Sequence, residues 1–150
     1  MGKRWRFWPL TGFLATAVLG TLAHFMYRWS GGALLAGVFC AVNESVWEHM
    51  KLLFFPVFLF TAVQFCMGER DGLLAARAVS VTAGLALIPT LYYTYTGIWG
   101  DHTLWADAAI FYLSAAVTFW LDDLLHRQRR LWKMEYQVAG LVWLWVLAFL

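Results

Sequence analysis

Residues 43–51, Asn43-Glu44-Ser45-Val46-Trp47-Glu48-His49-Met50-Lys51, gather two carboxylates, an imidazole and an ammonium between the apolar runs 33–39 and 52–60. Imidazole and carboxylate together form a ligand set for zinc and other first-row divalent ions. A carboxylate beside a bound ion can also serve as the base in a hydrolysis. Without an ion, the same groups make a polar pocket for a solute or a headgroup. Ionisable groups at the edge of an apolar span are costly in lipid unless they face protein or water, which marks them as functional candidates. Each also has a structural explanation. Ser45 and Glu48 match the Ser-x-x-Glu capping box, Glu44 suits the positive end of a helix dipole, and Lys51 can pair with Glu44 or Glu48. Capping leaves Glu44 and His49 unaccounted for.

The elements that position these groups follow from composition. The 150 residues are 62% hydrophobic and 13% charged, against about 45–50% and 25% in soluble domains. Apolar stretches recur at about the 20-residue length that crosses a bilayer core, without the alternation of a β-barrel. The chain reads as all-α, one integral membrane domain over 1–150, with about five transmembrane helices near 8–27, 45–67, 74–95, 105–125 and 131–150. Segment 33–42 is too short to span and is re-entrant or interfacial. Lys3, Arg4 and Arg6, then Arg70 and Arg77, then Arg127, Arg129, Arg130 and Lys133 form three basic clusters. Placed on one side by the positive-inside rule, they put the N-terminus in the cytoplasm and the C-terminus outside it. They flank apolar spans without forming a continuous face, which excludes a nucleic-acid partner. Cys40 and Cys66 fall near opposite faces and read as apolar fillers.

That topology converges further residues on the end holding Ser45. His24 closes span one, on a face shared with the small residues Gly12, Thr16 and Gly20, a stripe suited to close helix packing or to a homo-oligomer. Tyr92, Tyr95, Asp101, His102 and Asp107 arrive from spans three and four. The pocket set is His24, Asn43, Glu44, Ser45, Glu48, His49, Tyr92, Tyr95 and Asp107, with His102 at its margin. His24, Glu48, His49 and Asp107 are the expected metal ligands, for zinc, and Lys51 or Arg28 would receive an anion. Asp107, Ser114, Thr118 and Asp122 follow at helical spacing and would extend the pocket inward as a permeation path. Asp122, Asp123 and His126 read as a solvated cluster beside Arg127, and Glu135 as the interfacial start of the last span.

The run from Val42 to Leu52, followed by Phe54-Phe55-Pro56, resembles the signature of an uncharacterised family of small bacterial polytopic membrane proteins, a domain of unknown function. Leu19-Gly20-Thr21-Leu22-Ala23-His24-Phe25 and Tyr93-Thr94-Tyr95-Thr96-Gly97-Ile98 resemble its other patterned stretches. This resemblance implies a multi-pass protein of the bacterial inner membrane. Ser45-x-x-x-His49 with a helix-borne Asp is similar, at motif level only, to membrane hydrolases of the ceramidase and progestin-receptor type, which implies zinc hydrolysis. The last span lacks the His-x-x-x-His pair of that type. The leading expectation is binding or handling of a small ligand, ion or lipid headgroup. A zinc-dependent membrane hydrolase and a structural or partner-binding subunit are the alternatives, and the residues leave open whether any reaction is catalysed.

Overall fold

Ser45 leaves an extended segment and accepts the Glu48 amide on its hydroxyl at 3.3 Å, and a 21-residue helix starts there. The computed structural model describes residues 7–68, 71–127 and 135–149. Among them are six helices and no strand: α1 (Trp8–Trp29), α2 (Leu34–Phe39), α3 (Val46–Cys66), α4 (Leu73–Trp99), α5 (Leu104–Arg127) and α6 (Glu135–Phe149). The helices α1, α3, α4 and α5 are long and apolar enough to cross a membrane. At 15 residues α6 is shorter, and positions 131–134, where the expected fifth span begins, lie outside the described residues. The six-residue α2 lies on the surface with Leu34 and Leu35 exposed, which agrees with a non-spanning segment.

One expected boundary shifts. The Tyr92–Thr96 cluster does not end its helix, because nothing there breaks one. It continues to Trp99 and stops at Gly100, whose φ of +80° suits glycine. Only half of the expected capping box forms. The Ser45 amide goes to Asn43 Oδ1 at 2.9 Å, since Glu48 is occupied elsewhere.

Residue types are distributed as lipid requires. Leu10, Leu14 and Val18 of α1, Leu59 of α3 and Trp120 of α5 point outward. Thr16, Ser80, Ser114 and Thr118 lie inside, fully buried, around Leu53, Phe54, Val57, Leu85 and Phe119. With lipid outside there is little hydrophobic drive between helices, and small residues that let backbones approach supply the packing. A side chain at Gly12 would strike Phe119 and Phe60, and one at Gly20 would strike Phe111 and the Leu52 carbonyl. Eight residues along α1 thus match eight residues back along both α3 and α5, so α1 runs antiparallel to each. The Gly12, Thr16, Gly20 stripe is an internal contact.

Helices α4 and α5 also pack closely. A Cβ at Gly84 would sit on Thr118 Oγ1 and lie 3.2 Å from the Ser114 carbonyl. Thr118 Oγ1 itself donates to that carbonyl at 2.8 Å. This leaves no room for a file of water, so the Asp107 to Asp122 stripe is a packing seam at this level and not the expected permeation path. Gly84→Ala is expected to cost about 1–3 kcal/mol through overpacking, and adding Thr118→Ala should return most of it. Unfolding of both variants in detergent checks this, and equal losses would show that Thr118 is not what the added methyl strikes.

Candidate functional site

At the Ser45 end, the turn before α3 brings Glu44 against two imidazoles. His24 Nε2 is 3.9 Å from Glu44 Oε1, and His49 Nε2 is 3.5 Å from Glu44 Oε2. The imidazole rings are 5.3 Å apart, and one ligand atom from each of the three residues lies within 4.8 Å of the others. His49 Nδ1 is 2.8 Å from the Ser45 carbonyl. A carbonyl only accepts, so Nδ1 donates to it, and Nε2 is the nitrogen that faces Glu44. A proton on Nε2, or a metal ion between the two groups, makes this approach favourable. A metal-ligating histidine ordinarily binds a carbonyl through its second nitrogen in this way. Tetrahedral zinc, with bonds near 2.0–2.1 Å, sets its ligand atoms about 3.4 Å apart. The His49–Glu44 separation already fits, and His24 Nε2, 3.9 Å from Glu44, lies about half an ångström beyond that spacing.

The triad opens on a cavity of about 320 Å³ between α1, α3 and α5. Its walls are largely apolar, with Phe25, Leu52, Trp105 and Phe111 among them, and Asp107 lines it too. Pro56 removes the amide that would bond the Leu52 carbonyl, and that oxygen faces Gly20. A second void of about 30 Å³ joins Glu44, His49 and Asp107 to Tyr92, enough for one water. Among the described residues lining either space there is no Lys or Arg. The lining carries two carboxylates and is therefore suited to positive charge.

The expected site residues divide accordingly. His24, Glu44 and His49 form the cluster, and Asp107 shares the cavity. The Asp107 carboxylate is held by the Tyr95 hydroxyl and by His102 Nδ1 at 3.2 Å. Ser45 and Asn43 shape the turn. Glu48, an expected ligand, faces away: it pairs with Lys51 Nζ at 3.0 Å and accepts the Val42 amide at 3.1 Å. Lys51 is therefore no anion receiver. It is buried and reaches the Gly37 carbonyl at 3.4 Å, tying α2 to α3. Cys40 beside it is buried and Cys66 is exposed, so only one is a filler. Burial pushes the Cys40 thiol above its ordinary value, against the opposing pull of the Lys51 charge.

The opposite end holds what the sequence reading placed differently. Asp122 is not solvated but buried, and it takes Arg77 bidentately: Nε to Oδ1 and Nη2 to Oδ2, each at 3.0 Å. Arg77 also donates to Gln64 Oε1 at 2.8 Å and to Thr61 Oγ1 at 3.2 Å, and its guanidinium lies over Phe119 and Phe60. Asp123 alone makes the exposed pair with Arg127. Glu135 reaches across from α6 to accept the Leu74 amide at 3.1 Å. It caps the start of α4, where Gly72 offers no side chain.

A family model for a family of unknown function, DUF6512, matches residues 2–150. The chain belongs to that family. No curated protein and no solved structure matches it. Family membership is consistent with the expectation of an uncharacterised family, and assigns no activity.

Proposed function

We propose that this DUF6512 chain is a multi-pass protein of the bacterial inner membrane that binds a divalent cation, zinc by ligand type, at His24, Glu44 and His49. The N-terminus lies in the cytoplasm and the site faces the other side, a placement supported by the three basic clusters of the sequence. One observation carries the reading: one ligand atom each from His24, Glu44 and His49 lies within 4.8 Å of the others, with His49 Nε2 3.5 Å from the Glu44 carboxylate. Two histidines and one carboxylate leave a fourth position open to the cavity, as in centres that bind an exchangeable ligand. The Asp107 carboxylate across the same cavity favours a second reading, in which metal-activated water hydrolyses the bound ligand. Elemental analysis and zinc titration of the purified protein test the primary reading. About one zinc per chain is expected, and none in Glu44→Ala. A folded wild-type protein that takes up no zinc would overturn it.

A further inference from the structure

The cavity beside the triad is closed on one flank and open at the membrane surface. Thr21 and Tyr112 close the flank, since their hydroxyls lie 3.0 Å apart and bridge α1 and α5. Exposure places the mouth at Glu44, whose side chain is 77% exposed, and at the exposed Leu104 and Trp105. Asp107, with its side chain 23% exposed, is the shielded carboxylate of the lining. The Tyr95 hydroxyl and His102 Nδ1 hold it from outside that lining.

Charge decides what enters. With the histidines neutral and no ion present, Glu44 and Asp107 leave two negative charges, and no Lys or Arg among the described lining residues offsets them. The helix dipoles do not offset them either. Helices α3 and α5 begin at this end while α1 and α4 finish there, so their terminal partial charges oppose one another. A hard inorganic cation wants six or more oxygen ligands, which two carboxylates in a largely apolar wall do not supply. Phe25, Trp105, Phe111 and Tyr112 supply aromatic rings instead, and rings attract a cation that carries its own apolar surface.

We propose that the ion-free cavity binds a compact organic ammonium, its charge on Asp107 and Glu44 and its alkyl groups against Trp105, Phe111 and Phe25. The volume of about 320 Å³ lies at the small end of ligand sites, which suits a small alkylammonium. This goes beyond the metal reading and does not need it. The two are linked through charge. A divalent ion at the triad brings the net charge of the lining to zero, so zinc and the ammonium weaken each other by one common factor.

The test is titration calorimetry of the full-length protein in maltoside detergent with a chelator, choline being the probe. Its neutral isostere dimethylbutanol, in which a carbon replaces the nitrogen, is the control. About one choline per chain is expected, bound about tenfold more tightly than the isostere. Asp107→Asn should weaken choline about tenfold. Trp105→Leu, at an exposed ring that contributes little to the fold, should weaken it about threefold. Saturating zinc should weaken choline about tenfold, and choline should weaken zinc equally. Equal binding of choline and its isostere, or choline binding that Trp105→Leu and a folded Asp107→Asn leave unchanged, overturns the ammonium proposal. Choline binding that a zinc-loaded protein retains in full puts the ammonium outside this cavity and overturns it too. Zinc uptake without choline binding overturns the ammonium proposal alone, and choline binding without zinc uptake overturns the metal reading alone.

Discussion

Asp122→Ala is expected to destabilise the fold by about 3–5 kcal/mol, the cost of leaving a buried charge without its partner. Arg77 is 3% exposed, and Asp122 takes two of its N–H groups in a fork. Gln64 and Thr61 satisfy others but carry no charge. The Phe60 and Phe119 rings that flank the guanidinium carry no charge to replace the lost carboxylate. Lysine at 77 keeps the charge but loses the fork, so Arg77→Lys should also be weaker than wild type, by less. Replacing both partners with apolar residues, as in Arg77→Met with Asp122→Leu, should recover most of the loss, because it removes the charge and its partner together. Unfolding in detergent reads all of these. An Asp122→Ala protein within about 1 kcal/mol of wild type, the range of an exposed ion pair, would show that this end of the bundle is hydrated.

The membrane-helix architecture was legible in the sequence because lipid imposes length and composition directly. The packing faces were partly legible. Gly12, Thr16 and Gly20 recur every four residues and do face inward. The Arg77–Asp122 pair was harder. Asp122 lay on a stripe with Ser114 and Thr118 that spacing already marked as one helix face. Arg77, however, looked like an orientation signal beside Arg70, so spacing put Asp122 on the inward face without showing what it pairs with. The site followed the same pattern. His24, Glu44 and His49 converge because span ends can be placed from charge counting. Glu48 was misassigned because a carboxylate three residues from a lysine and one turn from a cap has three competing partners, and only geometry shows that Lys51 and the Val42 amide hold it.

That difference between adjacent residues sets up the sharpest test of the metal reading. Zinc should raise the thermal stability of the wild-type protein, by about 2.7 kcal/mol when the free ion stands at one hundred times its dissociation constant. His49→Ala should abolish this shift at the same zinc concentration. It removes a ligand, a larger loss than the 10–100-fold that an outer-shell partner costs. Its zinc-free stability should change little, because His49 contributes one local bond to Ser45 and is part-exposed. Glu48→Gln should behave in the opposite way. It strips Lys51 of its charge partner and weakens the hold on the Val42 amide, so the zinc-free protein is less stable, yet the zinc shift persists. If Glu48→Gln loses the shift and His49→Ala keeps it, the ion sits on the other side of α3 and the triad is only a hydrogen-bonded turn. If both keep it, zinc binds elsewhere on the chain. The two substitutions are one residue apart, on one helix and near one membrane surface, so a general effect of detergent, expression or helix propensity does not separate them. The direction in which each side chain points does.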